Sequence, residues 1–309
     1  MSPSGDGRVA VEIDGHELSL SNLDKVLYPA AGFTKAEVID YYTRVGPALV
    51  PHLAGRPITL KRYPNGVDGP SFYEKNCPSH RPEWVQTVEM GGGSRRSQVV
   101  RYCLLDSVAH LVWTANLAAL ELHPALASAP DLNRPRSVVF DLDPGAPADV
   151  VDCGRVALWL RELLAHLGLQ AWPKTSGSKG LQVYVPLNTP CVYEDTRAFA
   201  LAAGQLLERE HGDAVLTNMN PAQRGGKIFI DWSQNVASKT TVAVYSLRAR
   251  ERPTVSTPVD WEEVAAAVEA NDPSALRFEA PQVLARVEAD GDRFAPLLTV
   301  EQEVPKAAS

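Results

Sequence analysis

The sequence predicts an α+β fold with a mixed or antiparallel central sheet. Three observations lead there: four apolar segments of helical length, three short runs rich in β-branched and aromatic residues, and an interleaving of the two without internal repeat. Residues 1–15 are expected to form an N-terminal extension. A helix is expected from Lys35 to about His52, because Thr34 and Glu37 have the spacing of a capping box, in which each side chain satisfies the other's backbone N–H. A second apolar helix is expected over roughly Val108 to Leu122, with others over Gly154 to Leu167 and Asp195 to Glu210. The strand-like runs are Ser137-Val-Val-Phe-Asp-Leu-Asp143, Gly180-Leu-Gln-Val-Tyr-Val185 and Lys227-Ile-Phe-Ile-Asp-Trp232. From Pro258 onward the chain is expected to be helical and peripheral, and its last nine residues, EQEVPKAAS, to fray.

The chain's 309 residues, 45% hydrophobic and 22% charged, fit a globular protein rather than a disordered or fibrous one. No stretch approaches the roughly 18 apolar residues of a membrane span, and the start MSPSGDGRVAVEIDG lacks a signal-peptide pattern, so a cytoplasmic protein is expected. Cys77, Cys103, Cys153 and Cys191 are scattered and expected to be reduced thiols. Cys77-Pro-Ser-His80 has half of a zinc spacing, with no second half evident. A net charge of −7 argues against a uniformly basic surface for indiscriminate nucleic-acid binding. Basic residues nevertheless cluster, as Lys25 with Lys35, Lys61-Arg62, Arg95-Arg96, Lys174 with Lys179, Arg224 with Lys227, and Arg248, Arg250 and Arg252. Each cluster is either a phosphate contact or a solvated face.

Side chains alternate along a strand, so Asp141 and Asp143 project together while Phe140 and Leu142 point the other way. Asp231 lies opposite the Ile228, Ile230 and Trp232 face. Carboxylates in apolar strands are costly unless compensated, and hard oxygen ligands suit Mg²⁺ or Mn²⁺. Grouped acids of this kind can hold two ions about 3.5–4 Å apart for phosphoryl transfer. The alternative is strand-end acids paired with arginines. Thr175-Ser-Gly-Ser-Lys-Gly180 has the composition of an anion cradle, since glycine admits close backbone approach, serine donates and Lys179 supplies charge. It is not a Walker A sequence, and by itself it also fits an ordinary turn.

Seven ordered motifs then point one way. Asn22-Leu-Asp-Lys-Val-Leu-Tyr-Pro29, Arg56-Pro-Ile-Thr-Leu-Lys-Arg-Tyr-Pro-Asn-Gly66, Leu120-Glu-Leu-His123, Phe140-Asp-Leu-Asp-Pro144, Thr175-Ser-Gly-Ser-Lys-Gly180, Phe229-Ile-Asp-Trp-Ser-Gln-Asn235 and Ser238-Lys-Thr240 resemble the polymerase domain of bacterial ligase D, of the archaeo-eukaryotic primase superfamily. The resemblance runs from about residue 16 to 295, which implies one primase-polymerase catalytic domain followed by a tail, 296–309. It implies that Asp141, Asp143 and Asp231 are the catalytic, metal-binding acids. It places Lys61, His123, Ser176, Lys179, Gln182, Gln234 and Arg248 around an incoming nucleotide. Asn22, Lys25 and Lys35 would hold a 5′-phosphate on downstream DNA, where a lysine at a capped helix start also favours an anion. Arg62, Phe72, Tyr73, Glu74 and Lys75 would meet the template, their rings suited to base stacking. His123 without the family is a histidine ending a helix, and Phe72 with Tyr73 a core aromatic pair.

The family commonly has histidine where this chain has Gln182, a group that stays neutral where imidazole can carry charge. The ligase and nuclease domains often fused in this family are missing from the sequence, so a separate DNA ligase and an end-binding protein are the expected partners. The resemblance implies a template-dependent repair polymerase that fills gaps or extends ends, using ribo- or deoxynucleoside triphosphates with ribonucleotides favoured, and Mn²⁺ or Mg²⁺ as cofactor. The alternatives are a primase that starts strands unaided and a 5′-phosphate end-binding module with residual catalysis.

Overall fold

The computed structural model describes residues 8–91 and 99–305. Arg95 and Arg96 and the two glycines Gly92 and Gly93 lie outside them. The chain begins with a hairpin, β1 (Val9–Ile13) and β2 (His16–Leu20), and a short pair, β3 (Val26–Tyr28) and β4 (Phe33–Thr34). The hairpin crosses the expected boundary at residue 15, because β1 pairs with β2 from Val9↔Leu20 to Ile13↔His16. Helix α1 (Lys35–Leu53) starts at the expected capping box, with Thr34 and Glu37 each satisfying the other's backbone N–H. Such a cap is worth about 1 kcal/mol.

The first sheet contains β5 (Ile58–Arg62), β6 (Phe72–Glu74), β7 (Thr87–Gly91), β8 (Val99–Cys103) and, after α2 (Val108–Asn116), β9 (Ala119–Pro124). The expected helix over Val108–Leu122 therefore stops early. Ala118 turns to a left-handed φ of 56°, and the next residues pair with β5 from Thr59↔His123 to Lys61↔Glu121. Cross-strand pairing overrides the local helical pattern, and His123 stands on a strand. A second correction concerns the cysteines. Cys77 N–H donates to the Arg101 carbonyl at 2.7 Å, which lays the loop after β6 along β8. Cys77 and Cys103 are thereby neighbours and form a disulfide, while Cys153 and Cys191 stay free. The sulfur of the zinc half-site is thus committed elsewhere.

After a small hairpin, β10 (Ala127–Ser128) and β11 (Asp131–Pro135), come β12 (Ser137–Pro144), α3 (Val150–His166), β13 (Trp172–Thr175), β14 (Leu181–Pro186), α4 (Tyr193–Glu210), β15 (Val215–Leu216) and β16 (Ile228–Asp231). The second sheet has the order β13-β14-β12-β16-β15, antiparallel except for the β15–β16 pair, as expected of a mixed sheet. Val138, Phe140 and Leu142 of β12 pack on α3 and α4, whereas Val139 joins the other core, built from α1, α2 and the first sheet. One strand thus separates two cores by alternation alone.

Helices α5 (Trp261–Ala270), α6 (Ala280–Asp290) and α7 (Pro296–Thr299) close the outside. The segment expected to fray is anchored instead as far as it is described. Gln302 N–H donates to the Leu187 carbonyl at 2.8 Å, its side chain bonds Gln170 and Pro186, and Val304 packs on the second core. These hydrogen bonds, the one to Pro186 part-buried, and an apolar contact outweigh the polar composition. No helix among the described residues is long and apolar enough to cross a membrane.

Candidate active site

The centre of the site is a row of side chains across four strands. On β12, Asp141 lies opposite Asp231 of β16 on one side and Gln182 of β14 on the other, and Gln182 lies opposite Lys174 of β13. Directly opposed residues share a face, so Lys174, Gln182, Asp141 and Asp231 line up, with Asp143 two residues along. Gln182 Nε2 donates to Asp141 Oδ1 at 3.0 Å, and Gln234 Nε2 donates to Asp231 Oδ2 at 2.8 Å while lying 3.5 Å from Asp141 Oδ2. Burial first, and then the Asp143 charge, pushes the Asp141 carboxyl up to about 7. Burial and Asp231 likewise raise Asp143, against the pull of Arg224 and Arg248.

Beside these acids is a cavity of about 520 Å³ whose lining includes Asp141, Asp143, His123, Tyr73, Ser176, Lys179, Gln182, Gln234 and Arg248. A larger apolar cleft of about 780 Å³, between α3, α4 and the C-terminal segment, touches none of them. The loop after β13 lines one side of the cavity. Ser176 Oγ accepts from the N–H groups of Ser178 and Gly180, and Arg248 Nη1 donates to the Ser176 carbonyl at 2.6 Å. Gly177 has a φ of +66°, and a Cβ on Gly180 would stand 2.1 Å from the Leu142 carbonyl oxygen, so only glycine fits at either place.

A buried carboxylate organises the cations opposite the acids. Glu121 of β9 accepts from His123 Nε2 at 3.0 Å, from the Tyr63 hydroxyl at 3.3 Å and from Ala249 N–H at 3.1 Å; Arg248 Nε is 3.4 Å away and Lys61 Nζ 3.9 Å. Burial raises its pKa, but His123, Arg248 and Lys61 outweigh that and hold it below the usual carboxylate range. His123 is lowered, chiefly by its own burial. Glu121 and Lys174 are organising residues that sequence reasoning did not assign. Glu121 was visible inside the Leu120-Glu-Leu-His123 motif, but the expected helix hid its strand partners.

Two further groups lie at the margins. Phe72 and Tyr73, 45% and 59% exposed on β6, are not a core pair. Arg62 sits over the Phe72 ring at 5.3 Å and pairs with Glu74 at 2.9 Å, Lys61 lies 5.1 Å from the Tyr73 ring centre, and Lys75 is exposed just beyond. Asn22, Lys25 and Lys35 form a separate cluster. Asn22 has a left-handed φ of 53°, its carbonyl accepts from Lys25 N–H at 3.1 Å, and the Lys25 carbonyl accepts from Lys35 N–H at 2.8 Å. Lys35 Nζ donates to the Ser21 carbonyl at 2.6 Å, and burial, with Lys25 nearby, lowers its pKa to about 8. Glu37 already occupies the start of α1, so the positive charge here is that of the two lysines rather than of the helix end.

The donor set suits a divalent cation. Two acids are held together against their own repulsion, and a cation would relieve it. As they stand, no three acidic, histidine or cysteine side chains among the described residues converge as a ligand set, since Asp231 is turned onto Ser233 and Gln234 with Lys239 Nζ 3.7 Å away.

Residues 34–294 match the family model described as LigD, primase-polymerase domain. The chain belongs to that family. The LigD polymerase domain of Mycobacterium tuberculosis, solved in complex with DNA, superposes with a TM-score of 0.84 at 40% identity, covering 91% of this chain and 98% of that one. The multifunctional non-homologous end joining protein LigD of Mycolicibacterium smegmatis is 42% identical over 280 residues, and the bifunctional LigD of Bacillus subtilis 30% over 293. These stretches are 90% and 94% of this chain but only 36% and 46% of the relatives, so it corresponds to one part of the longer LigD proteins. As a LigD primase-polymerase domain the chain is a nucleotidyltransferase with the α+β architecture of that domain.

Proposed function

We propose that the chain fills short gaps and extends broken ends during DNA repair, copying a template from nucleoside triphosphates, with ribonucleotides favoured. What supports this is the placement of Asp141 and Asp143 in one cavity with the Ser176–Gly180 loop and Arg248, with Asp231 opposite Asp141 on the same sheet face. In this reading a primer 3′-hydroxyl loses its proton to solvent as its oxygen attacks the α-phosphorus, the bond to the oxygen bridging to the β-phosphorus breaks, and pyrophosphate leaves. Two Mg²⁺ or Mn²⁺ ions held by the three acids would supply Lewis-acid polarisation and charge neutralisation. The chain's own residues do the rest. Ser176, Lys179, Gln234 and Arg248 hold and orient the triphosphate, Lys61 and His123 steady the nucleotide under Glu121, and Gln182 holds Asp141. Phe72 and Tyr73 offer faces on which template bases stack beside Arg62, Glu74 and Lys75.

Asn22, Lys25 and Lys35 receive the 5′-phosphate of the downstream strand. Sealing falls to a separate ligase, with an end-binding protein as a further partner, in the cytoplasm at the nucleoid. Primer extension on a gapped duplex with Mn²⁺ or Mg²⁺ tests the reading. Template-directed addition in the gap is expected, faster with ribonucleotides. Tight binding without addition would instead indicate an end-binding module, and strand initiation without a primer would indicate a primase.

A further inference from the structure

Lys174 is fully buried at the far end of the row of side chains, and no step proposed above uses it. Its Nζ donates to Gln182 Oε1 at 2.6 Å, to Ser256 Oγ at 2.6 Å and to the Val242 carbonyl at 3.1 Å. An ammonium only donates, so the Gln182 amide is held with its oxygen toward Lys174 and its NH₂ toward Asp141. The reversed amide would set NH₂ against an ammonium and a carbonyl oxygen against a carboxylate. Packing alone does not call for this lysine. Burial lowers its pKa to about 7 despite the attraction of Asp141, and an apolar side chain would avoid that desolvation.

We propose that Lys174 is a positioning residue for nucleotide transfer: by locking the amide of Gln182 it fixes the Asp141 carboxylate, with Oδ1 held in the sheet and Oδ2 on the Asp231 side as the oxygen offered to a divalent cation. The inference rests on the metal-binding reading of the acids given above. The effect passes along one line, Lys174 to Gln182 to Asp141, with no direct contact between its ends.

Mn²⁺ binding to the 309-residue protein, followed by the electron paramagnetic resonance of the free ion, tests this beside primer extension. Lys174→Met is expected to weaken Mn²⁺ binding about tenfold, as expected for losing an oriented charge-assisted hydrogen bond, with nucleotide KM and gapped-DNA affinity unchanged. Lys174→Gln, which still donates to Gln182 without burying a charge, is expected to stay within about threefold of the unaltered protein. Once Gln182→Met has removed the amide, adding Lys174→Met is expected to weaken Mn²⁺ no further. Unchanged Mn²⁺ affinity in Lys174→Met, equal losses in the Met and Gln variants, or additive losses in the double variant would each overturn the inference. If Lys174→Met loses its near-ultraviolet circular dichroism, the Lys174→Gln and double-variant comparisons decide. Asp143→Ala separates the two ideas. If the unaltered protein takes up no Mn²⁺ that Asp143→Ala abolishes, the metal assignment itself fails and the inference falls with it.

Discussion

Asp141 has a carboxylate neighbour on its own strand, another directly across, and an amide holding one oxygen. Asp141→Ala or Asp143→Ala is therefore expected to abolish nucleotide addition while leaving DNA binding in place, checked by primer extension beside a mobility-shift titration; undiminished extension would refute the metal assignment. The raised Asp141 pKa also has a pH signature. The folded state keeps its proton up to about 7 while the unfolded chain releases it near 3.8, so the native state binds more protons between those values. With divalent ions chelated, the Asp141 contribution to stability is expected to fall as pH rises from about 4 to about 7 and then level off, read as melting temperature. Saturating Mn²⁺ is expected to flatten the slope. Glu121→Gln leaves Arg248 and Lys61 without their shared counter-charge and weakens the acceptor of His123 Nε2, and is expected to raise nucleotide KM by about tenfold with a smaller effect on kcat. An unchanged KM would remove Glu121 from the nucleotide side. Gln182, a neutral group where the family commonly has histidine, is held here between Lys174 Nζ at 2.6 Å and Asp141 Oδ1 at 3.0 Å.

At the level of elements, local signals were legible where they closed on themselves. The Thr34–Glu37 box needs no distant partner, and α1 starts where it predicts. The β12, β14 and β16 runs were equally legible, because alternation fixes which residues share a face. The error over 108–122 has the opposite origin, since residues 119–124 form a strand through pairing with β5, some sixty positions away. The Cys77–Cys103 bridge was hidden for the same reason, because only the sheet brings those residues together. The segment carrying Asn22, Lys25 and Lys35 allows an element-scale prediction. A 5′-phosphate on the downstream strand is expected to tighten gapped-DNA binding by about tenfold or more at low salt, and Lys25→Ala with Lys35→Ala to remove most of that gain. Lys35 is cationic below about 8 and neutral above, so the gain is expected to shrink as pH rises through that value. Fluorescence titration of phosphorylated and hydroxyl-ended gaps across pH measures it, and equal affinities at low salt would count against the pocket.

Across the whole molecule, two cores meet at β12, with Phe140 and Leu142 in one, Val139 in the other, and the face carrying Asp141 and Asp143 directed into the gap between the sheets. The motifs carrying His123, Asp141 and Asp143, Ser176 and Lys179, and Gln234 border that gap, whereas Asn22–Pro29 belongs to the separate lysine cluster. Of the buried supports beneath it, Glu121 lay inside a readable motif and Lys174 in a basic cluster, but the strands they share with the site became visible only in the paired sheets. Phe140→Ala is expected to cost about 3–5 kcal/mol of folding stability, from lost burial and the cavity left behind, and to reduce activity through the acids it backs, measured by denaturant unfolding beside extension. The division of β12 between two cores also governs which genetic changes the protein can survive. A substitution alters one side chain, whereas losing or gaining a single codon within Ser137–Pro144 turns every following side chain over, sending Phe140 or Leu142 toward the nucleotide and an aspartate into the aliphatic layer. Catalysis and folding then fail together. Changes in length are thus expected to be tolerated only in the connecting loops, where no residue's direction is inherited from the one before it.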